Sequence, residues 1–243
     1  MKDQQDAYGH EVYDYLKSGR PTSEIVERDD GFVDISSGPP AYFSRYRDWS
    51  PREKRALRYV KGRVLDIGCG AGRISLHLQR KGHDVLGIDV SPLAVRVCKA
   101  RGLKNAQVMS ITEIGSELGK FDTIIMFGNN FGLFGSPKKA KQLLKRLHRI
   151  TSDDARIIAE SRNPYKTTNQ DHLQYQQFNR RRGRMSGQLR IRVRYRTYAT
   201  PWFDYLIVSE QEMRKLLKGT GWRISKTFDG KSGVYIAVIQ KST

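Results

Sequence analysis

A chain of 243 residues has room for one well-buried α/β domain and an appendage, and is too short for two full domains. No run of 18 or more apolar residues occurs, and the opening Met1-Lys2-Asp3-Gln4-Gln5-Asp6 lacks the basic-then-apolar order of a secretory leader, so a cytoplasmic protein without a membrane partner is expected. Two cysteines, Cys69 and Cys98, exclude a disulfide framework and have no metal-ligand spacing, while a net charge of +19 means either anionic partners or simply a basic, soluble surface.

That charge is unevenly placed. Residues 1–34 hold nine acids (Asp3, Asp6, Glu11, Asp14, Glu24, Glu27, Asp29, Asp30, Asp34) against four bases (Lys2, Lys17, Arg20, Arg28), so the remainder carries +24. Gly38-Pro39-Pro40 separates this acidic part from an aromatic one, Tyr42 to Trp49. Residues 1–62 are expected to form a helical lid over the carboxyl edge of a sheet, or a helix packed against its side. A main domain, 63–243, follows.

From residue 63, short apolar runs alternate with amphipathic stretches, the pattern of βα units around a mostly parallel sheet. Strands are expected at 63–67, 84–90, 106–109, 121–127 and 155–160. Ser91-Pro92 supplies an N-cap and first-turn proline to one helix. Another, over 137–150, sets Ala140, Leu143, Leu144, Leu147 and Ile150 on an apolar face, with lysines and arginines around the rest. Residues 162–208 break the alternation and form a β-rich insertion. In it Leu189, Ile191, Val193 and Tyr195 alternate with Arg190, Arg192, Arg194 and Arg196, so a strand there carries one arginine face. After a helix opened by Ser209 and Glu212, two strands near 222–228 and 234–240, joined by Asp229-Gly230-Lys231-Ser232-Gly233, complete a doubly wound, Rossmann-like seven-stranded sheet with an antiparallel last strand.

The chemistry is concentrated in Val64-Leu65-Asp66-Ile67-Gly68-Cys69-Gly70-Ala71-Gly72-Arg73. Glycines at 68, 70 and 72 permit a tight turn and close backbone approach, and Asp66 and the helix N-terminus suit a nucleoside with a charged tail. Asp89, 21 positions after Gly68, is placed to accept ribose hydroxyls. A nicotinamide fingerprint wants glycine where Arg73 stands.

Val64–Gly72 and Gly87-Ile88-Asp89-Val90-Ser91 resemble the first two motifs of class I S-adenosylmethionine-dependent methyltransferases, and the element order is similar from about residue 55 onward. The resemblance implies S-adenosyl-L-methionine as cofactor. Asp66, Gly68, Cys69, Gly70 and Gly72 would surround its methionine part, Asp89 would hold the ribose, and Val90 would flank the adenine. Ser110 and Ile111 stand where the family often has an aspartate for the adenine amino group. Gly128 and Asn129 follow the fourth strand, where family members present residues to cofactor and acceptor; the Asn/Asp-Pro-Pro-aromatic run of amino-methylating nucleic-acid enzymes is absent there.

No catalytic base and no metal are assigned, since methyl transfer from a sulfonium requires mainly alignment and exclusion of water. Tyr42, Tyr46, Arg162, Arg192, Arg194, Tyr195 and Trp202 are the candidate acceptor contacts. Three readings stay open. The acceptor is a small or medium-sized, anionic molecule closed in by lid and insertion; or it is RNA, gripped by the eight arginines between 180 and 196; or the chain binds the cofactor without catalysis.

Overall fold

In the computed structural model, which describes residues 1–230 and 233–242, most helices begin where the chain supplies a cap. Asp6 opens α1 (Ala7–Ser18) by accepting from the Gly9 N–H at 3.1 Å, and Gly19 closes it in the left-handed region at φ 65°. A hairpin follows, β1 (Ile25–Arg28) and β2 (Val33–Ile35), its turn held by Arg28 donating twice to Asp30 at 2.7 Å. Helix α2 (Pro39–Phe43) starts on a proline, and α3 (Pro51–Leu57) on the reciprocal capping pair Ser50 and Glu53.

The βα alternation then runs through β3 (Val64–Ile67), α4 (Arg73–Arg80), β4 (Val85–Asp89), α5 (Pro92–Ala100), β5 (Asn105–Val108), β6 (Phe121–Met126), α6 (Pro137–Arg149) and β7 (Thr151–Arg162). Next come α7 (Gln170–Arg181), β8 (Gln188–Tyr195), β9 (Tyr198–Ala199), β10 (Phe203–Leu206), α8 (Glu210–Leu217), β11 (Trp222–Asp229) and β12 (Val234–Lys241). The main sheet has seven strands in the order β11-β12-β7-β6-β3-β4-β5. Strand β12 is antiparallel to both neighbours, so the expected α/β fold is the one found. Of the turn leading into β12, Lys231 and Ser232 lie outside the described residues; Gly230 donates to the Val234 carbonyl at 2.8 Å.

Two elements were not legible as local patterns. Besides its helices, the N-terminal region contains the β1–β2 hairpin, and the insertion expected to be β-rich opens with the three-turn helix α7. The hairpin exists because β1 pairs antiparallel with β8 about 165 residues away, setting Val26 opposite Val193 and Glu27 opposite Arg192. A four-residue strand carries too little periodicity to announce such a partner.

The chain divides into two compact units. The first comprises Met1–Trp49, Leu65–Glu113 and Arg190–Phe203; the second comprises Ser50–Val64, Ile114–Leu189 and Asp204–Thr243. In the first, α1 packs on α5 through Val12, Ala94 and Val97, with Tyr8, Tyr42 and Phe43 against them, and Cys69, Leu76, Val95 and Cys98 fill the space beside β4. In the second, Ile124, Ile125, Met126, Ile157 and Ile158 and the rings of Phe131 and Phe134 are buried, as are Leu144 and Leu147 of α6.

Candidate functional site

The glycine-rich turn between β3 and α4 lies in the first unit. Gly68, Gly70 and Gly72 have φ of 71°, 54° and 80°, conformations that a side chain would strain, so the turn presents bare backbone. It is anchored by the Gly68 and Cys69 N–H groups donating to the Ile88 carbonyl at 2.9 and 3.0 Å, and by the Cys98 thiol donating to the Gly70 carbonyl at 3.0 Å. Asp89 ends β4 partly open to solvent. One carboxylate oxygen accepts from the Gly70 N–H at 2.9 Å and the other from the Ser91 N–H at 3.0 Å, which fixes the carboxylate and leaves lone pairs for further donors. Burial raises its pKa against the pull of these two donors.

Asp66 is buried at the end of β3, where the Ser75 hydroxyl donates to it at 2.6 Å. Burial pushes its pKa up to about 6, with the Ser75 bond opposing the shift. Val90 and Val108 expose apolar surface on either side of Asp89, which pairs with Val108 across β4 and β5. Ser110 is committed locally: its N–H donates to Glu113 at 2.6 Å and its hydroxyl lies 2.8 Å from that of Thr112, with Ile111 half-buried between them.

Helix α1 lies over this turn. A side chain on Gly70 would run into the Tyr8 hydroxyl, and one on Gly9 would strike Asp6 and Ser91, so both glycines allow close approach. Asp6 ties the two helices together, because its second oxygen accepts from the Leu93 N–H of α5 at 3.0 Å. Tyr8 meets Tyr42 edge-on at 5.1 Å, and the Tyr42 hydroxyl donates to Glu24 at 2.5 Å. Glu24 in turn faces Glu11, and both glutamates are buried. Burial and the neighbouring Glu24 push the Glu11 pKa up to about 9, so Glu11 is protonated at neutral pH, while its contacts with Glu11, Ser36 and Tyr42 lower that of Glu24 against its burial. Sequence reasoning missed this pair; two acids 13 positions apart in an acidic segment carry no signal of their meeting.

The arginine strand does not stand as an open cationic face. Arg192 donates to both Glu27 oxygens, at 2.8 and 3.1 Å, and lies 4.7 Å from the Trp202 ring centre; Arg194 reaches the same carboxylate at 3.4 Å. Arg196 pairs with Asp14 at 2.9 Å, and the buried Tyr195 donates to that carboxylate at 3.0 Å. The acids of the N-terminal segment thus neutralise three of the four arginines internally. Tyr46 stacks flat on His77 at 4.4 Å, and His10 on Tyr198 at 3.6 Å with Asp3 at 3.0 Å from its ring nitrogen. His172 bonds Thr167 at 3.2 Å.

Three candidates belong to the second unit. Gly128 and Asn129 both have positive φ, 68° and 61°, at the end of β6. The Asn129 backbone is held on two sides, its N–H donating to Glu160 at 3.0 Å and its carbonyl accepting from Tyr205 at 2.6 Å, while its side-chain oxygen is buried without a partner among the described residues. Asparagine is among the few non-glycine residues that enter the left-handed region readily. Arg162 is exposed at the end of β7. The sequence Asn163-Pro164-Tyr165 is an Asx turn, the Tyr165 N–H donating to the Asn163 side chain at 3.0 Å.

Residues 64–154 match the family model of the methyltransferase domain. Over 119 residues, 49% of this chain and 50% of the other, the sequence is 34% identical to a human lysine N-methyltransferase of ATP synthase. Over 72 residues, 27% of this chain and 32% of the other, it is 39% identical to the 2-heptyl-1-hydroxyquinolin-4(1H)-one methyltransferase of Mycobacteroides abscessus. The chain thus spans half or less of the length of these curated relatives. A crystal structure of a methyltransferase from Bacteroides fragilis, in complex with S-adenosyl-L-homocysteine, shares the fold over 100% of this chain and 98% of that one, with a TM-score of 0.84 at 23% identity.

Proposed function

We propose that this chain, a member of the class I S-adenosylmethionine-dependent methyltransferase family, transfers a methyl group to an N, O or C nucleophile of a small or medium-sized acceptor. The observation that carries the reading is the fixed Asp89 carboxylate beside the bare backbone of Gly68 to Gly72.

The residues present fit the cofactor. A partly open carboxylate with spare lone pairs suits a ribose diol, the exposed valines 90 and 108 suit the two faces of a purine, and the ionised form of Asp66 suits an ammonium. Asp66, Gly68, Cys69, Gly70 and Gly72 would therefore hold the amino-acid part, Asp89 the ribose, and Val90, Ser110 and Ile111 the adenine. Gly128 and Asn129 are further cofactor contacts in this reading, the orphaned Asn129 oxygen awaiting a donor. Bound S-adenosylmethionine supplies an electrophilic methyl on a sulfonium. The chain's own contribution is to hold the donor rigidly, to align the acceptor in line with it and to exclude water.

Residues 1–62 act here as the lid and 63–243 as the catalytic domain, with 162–208 contributing acceptor contacts. Tyr42 and Tyr46, with Arg162, Arg192, Arg194, Tyr195 and Trp202, are proposed to define the acceptor side. The internal pairing of Arg192, Arg194 and Arg196 favours this reading over one in which the insertion grips RNA. The two unbonded cysteines, sulfurs 3.8 Å apart, suit a reducing cytoplasm.

Calorimetric titration with S-adenosylmethionine and S-adenosylhomocysteine, beside an Asp89→Ala variant, tests the proposal. Binding in the micromolar range that the variant loses supports it; no binding to the wild-type protein would refute it.

A further inference from the structure

With Arg192, Arg194 and Arg196 paired to acids of the N-terminal segment, α6 of the second unit carries a run of positive charge without acids of its own. Its sequence, Pro137-Lys-Lys-Ala-Lys-Gln-Leu-Leu-Lys-Arg-Leu-His-Arg149, contains no acid. At 100° per residue Lys138, Lys141, Lys145 and Arg149 fall in one stripe opposite the buried Ala140, Leu143, Leu144 and Leu147, spanning about 16 Å along the axis. All four are exposed, and among the described residues none of their side chains has an ion pair or hydrogen bond. Helix α8, which carries Glu210 and Glu212 as well as Arg214 and Lys215, is a neighbour of α6. The turn after it packs on this flank of α6 through Gly221 against His148 and Trp222 donating to the Leu144 carbonyl at 2.9 Å, and its last turn exposes Lys215 and Lys218.

Part of the pattern works against the helix that bears it, although Arg146 and Arg149 suit the negative end of the macrodipole in the last turn. Lys141, Lys145 and Arg149 repel one another at i, i+4, and Lys138 and Lys139 sit in the first turn against the positive end of the macrodipole. An array of phosphates reverses both penalties.

We infer that the exposed stripe Lys138, Lys141, Lys145 and Arg149 binds the phosphate backbone of a nucleic-acid duplex without reading its sequence. The chemistry of the face selects this partner. Four cations strung along a line cannot converge on a single small anion, and they match a linear polyanion. A protein partner would want aromatic or aliphatic anchors, and membrane insertion an apolar edge; every apolar residue of α6 is buried, and none of the exposed large hydrophobic residues lies on α6 or α8. With no aromatic side chain in the stripe, single strands have no platform on which to stack.

The test is fluorescence anisotropy with a labelled DNA duplex of about 20 base pairs across a salt series. Four phosphate contacts predict a slope of log affinity on log salt of about −3.6, hence a loss of about 150-fold between about 50 and about 200 mM salt. A Lys138→Gln, Lys141→Gln, Lys145→Gln variant is expected to bring the slope to about −0.9. Its circular dichroism and its affinity for S-adenosylhomocysteine should be those of the wild type. An Arg192→Gln, Arg194→Gln variant should keep the wild-type slope. The proposal is overturned if the α6 variant binds duplex as the wild type does, if the β8 variant is the one that loses it, or if α6 is needed only for vesicles of phosphatidylserine while duplex goes unbound. No methyl transfer is read, so the result stands apart from the proposed activity.

Discussion

Asp66, Asp89 and Glu11 are three buried or half-buried carboxyl groups whose protonation the fold has changed for different ends. Asp66, raised to about 6, is ionised at neutral pH but within reach of titration. If it holds the cofactor's ammonium, affinity for S-adenosylhomocysteine should be about tenfold weaker at pH 5 than at pH 7, since one unit below its pKa only about a tenth of Asp66 is charged. Isothermal titration at both pH values checks this, and Asp66→Asn should bind weakly at both. A profile unchanged from pH 5 to pH 7 would remove Asp66 from the ammonium site.

Glu11 carries a different prediction. Its folded pKa, about 9, lies above its unfolded value, so its contribution to stability is complete below about pH 4.5 and is lost as pH rises through 9. Glu11→Gln keeps a donor toward Glu24 and cannot ionise. Its melting temperature should therefore exceed that of the wild type near pH 9, and the two should converge in acid. Glu11→Ala removes the group facing Glu24, which keeps the Tyr42 hydroxyl as a donor, and should cost about 1 kcal/mol in urea unfolding at pH 7. Neither effect was legible in the sequence, where Glu11 and Glu24 look like members of a solvated acidic run; what joins them is the packing of α1 beside β1 and α2.

At the scale of elements, the βα alternation was legible because each unit is local. Val64–Ile67, the glycines and the Ser91-Pro92 cap declare strand, turn and helix within a few residues, and Asp89 sits at a strand end that spacing alone predicts. The approach of α1 to α5 was not legible, because its permissive residue is a glycine inside a helix. Gly9→Ala places a methyl against Asp6 and Ser91, which must part for it. An overpacking cost of about 1–3 kcal/mol is expected, together with weaker S-adenosylhomocysteine binding, because α1 carries Tyr8 to the cofactor turn. Differential scanning calorimetry and titration on the same variant check both; a drop in stability with unchanged affinity would confine α1 to a structural role. The β1–β8 ladder makes a second case. Glu27→Gln frees Arg192 and Arg194, which should add a salt-sensitive affinity for polyanions at little cost in stability, both arginines staying partly open to solvent. Heparin chromatography of the variant against the wild type gives the comparison.

At the scale of the whole chain, a net charge of +19 is one number for two different surfaces. Alternation along β8 sets Arg190, Arg192 and Arg194 on one face, with Arg196 past the strand's end at φ 52°, and nothing in that alternation states that Glu27 and Asp14 lie across from them. The lysines of α6 looked like an ordinary solvated helix face and, among the described residues, prove to be cations left without acids. By itself the sequence determined the seven-stranded α/β fold and the methyltransferase-domain pattern over residues 64–154, because glycine conformations, strand periodicity and helix caps act over a handful of residues. Only the tertiary structure decided which charges are cancelled, which two glutamates meet in the interior and which helix lies on the glycine turn. Those outcomes depend on distances between segments far apart in the chain, and charge and burial take their energies from such distances.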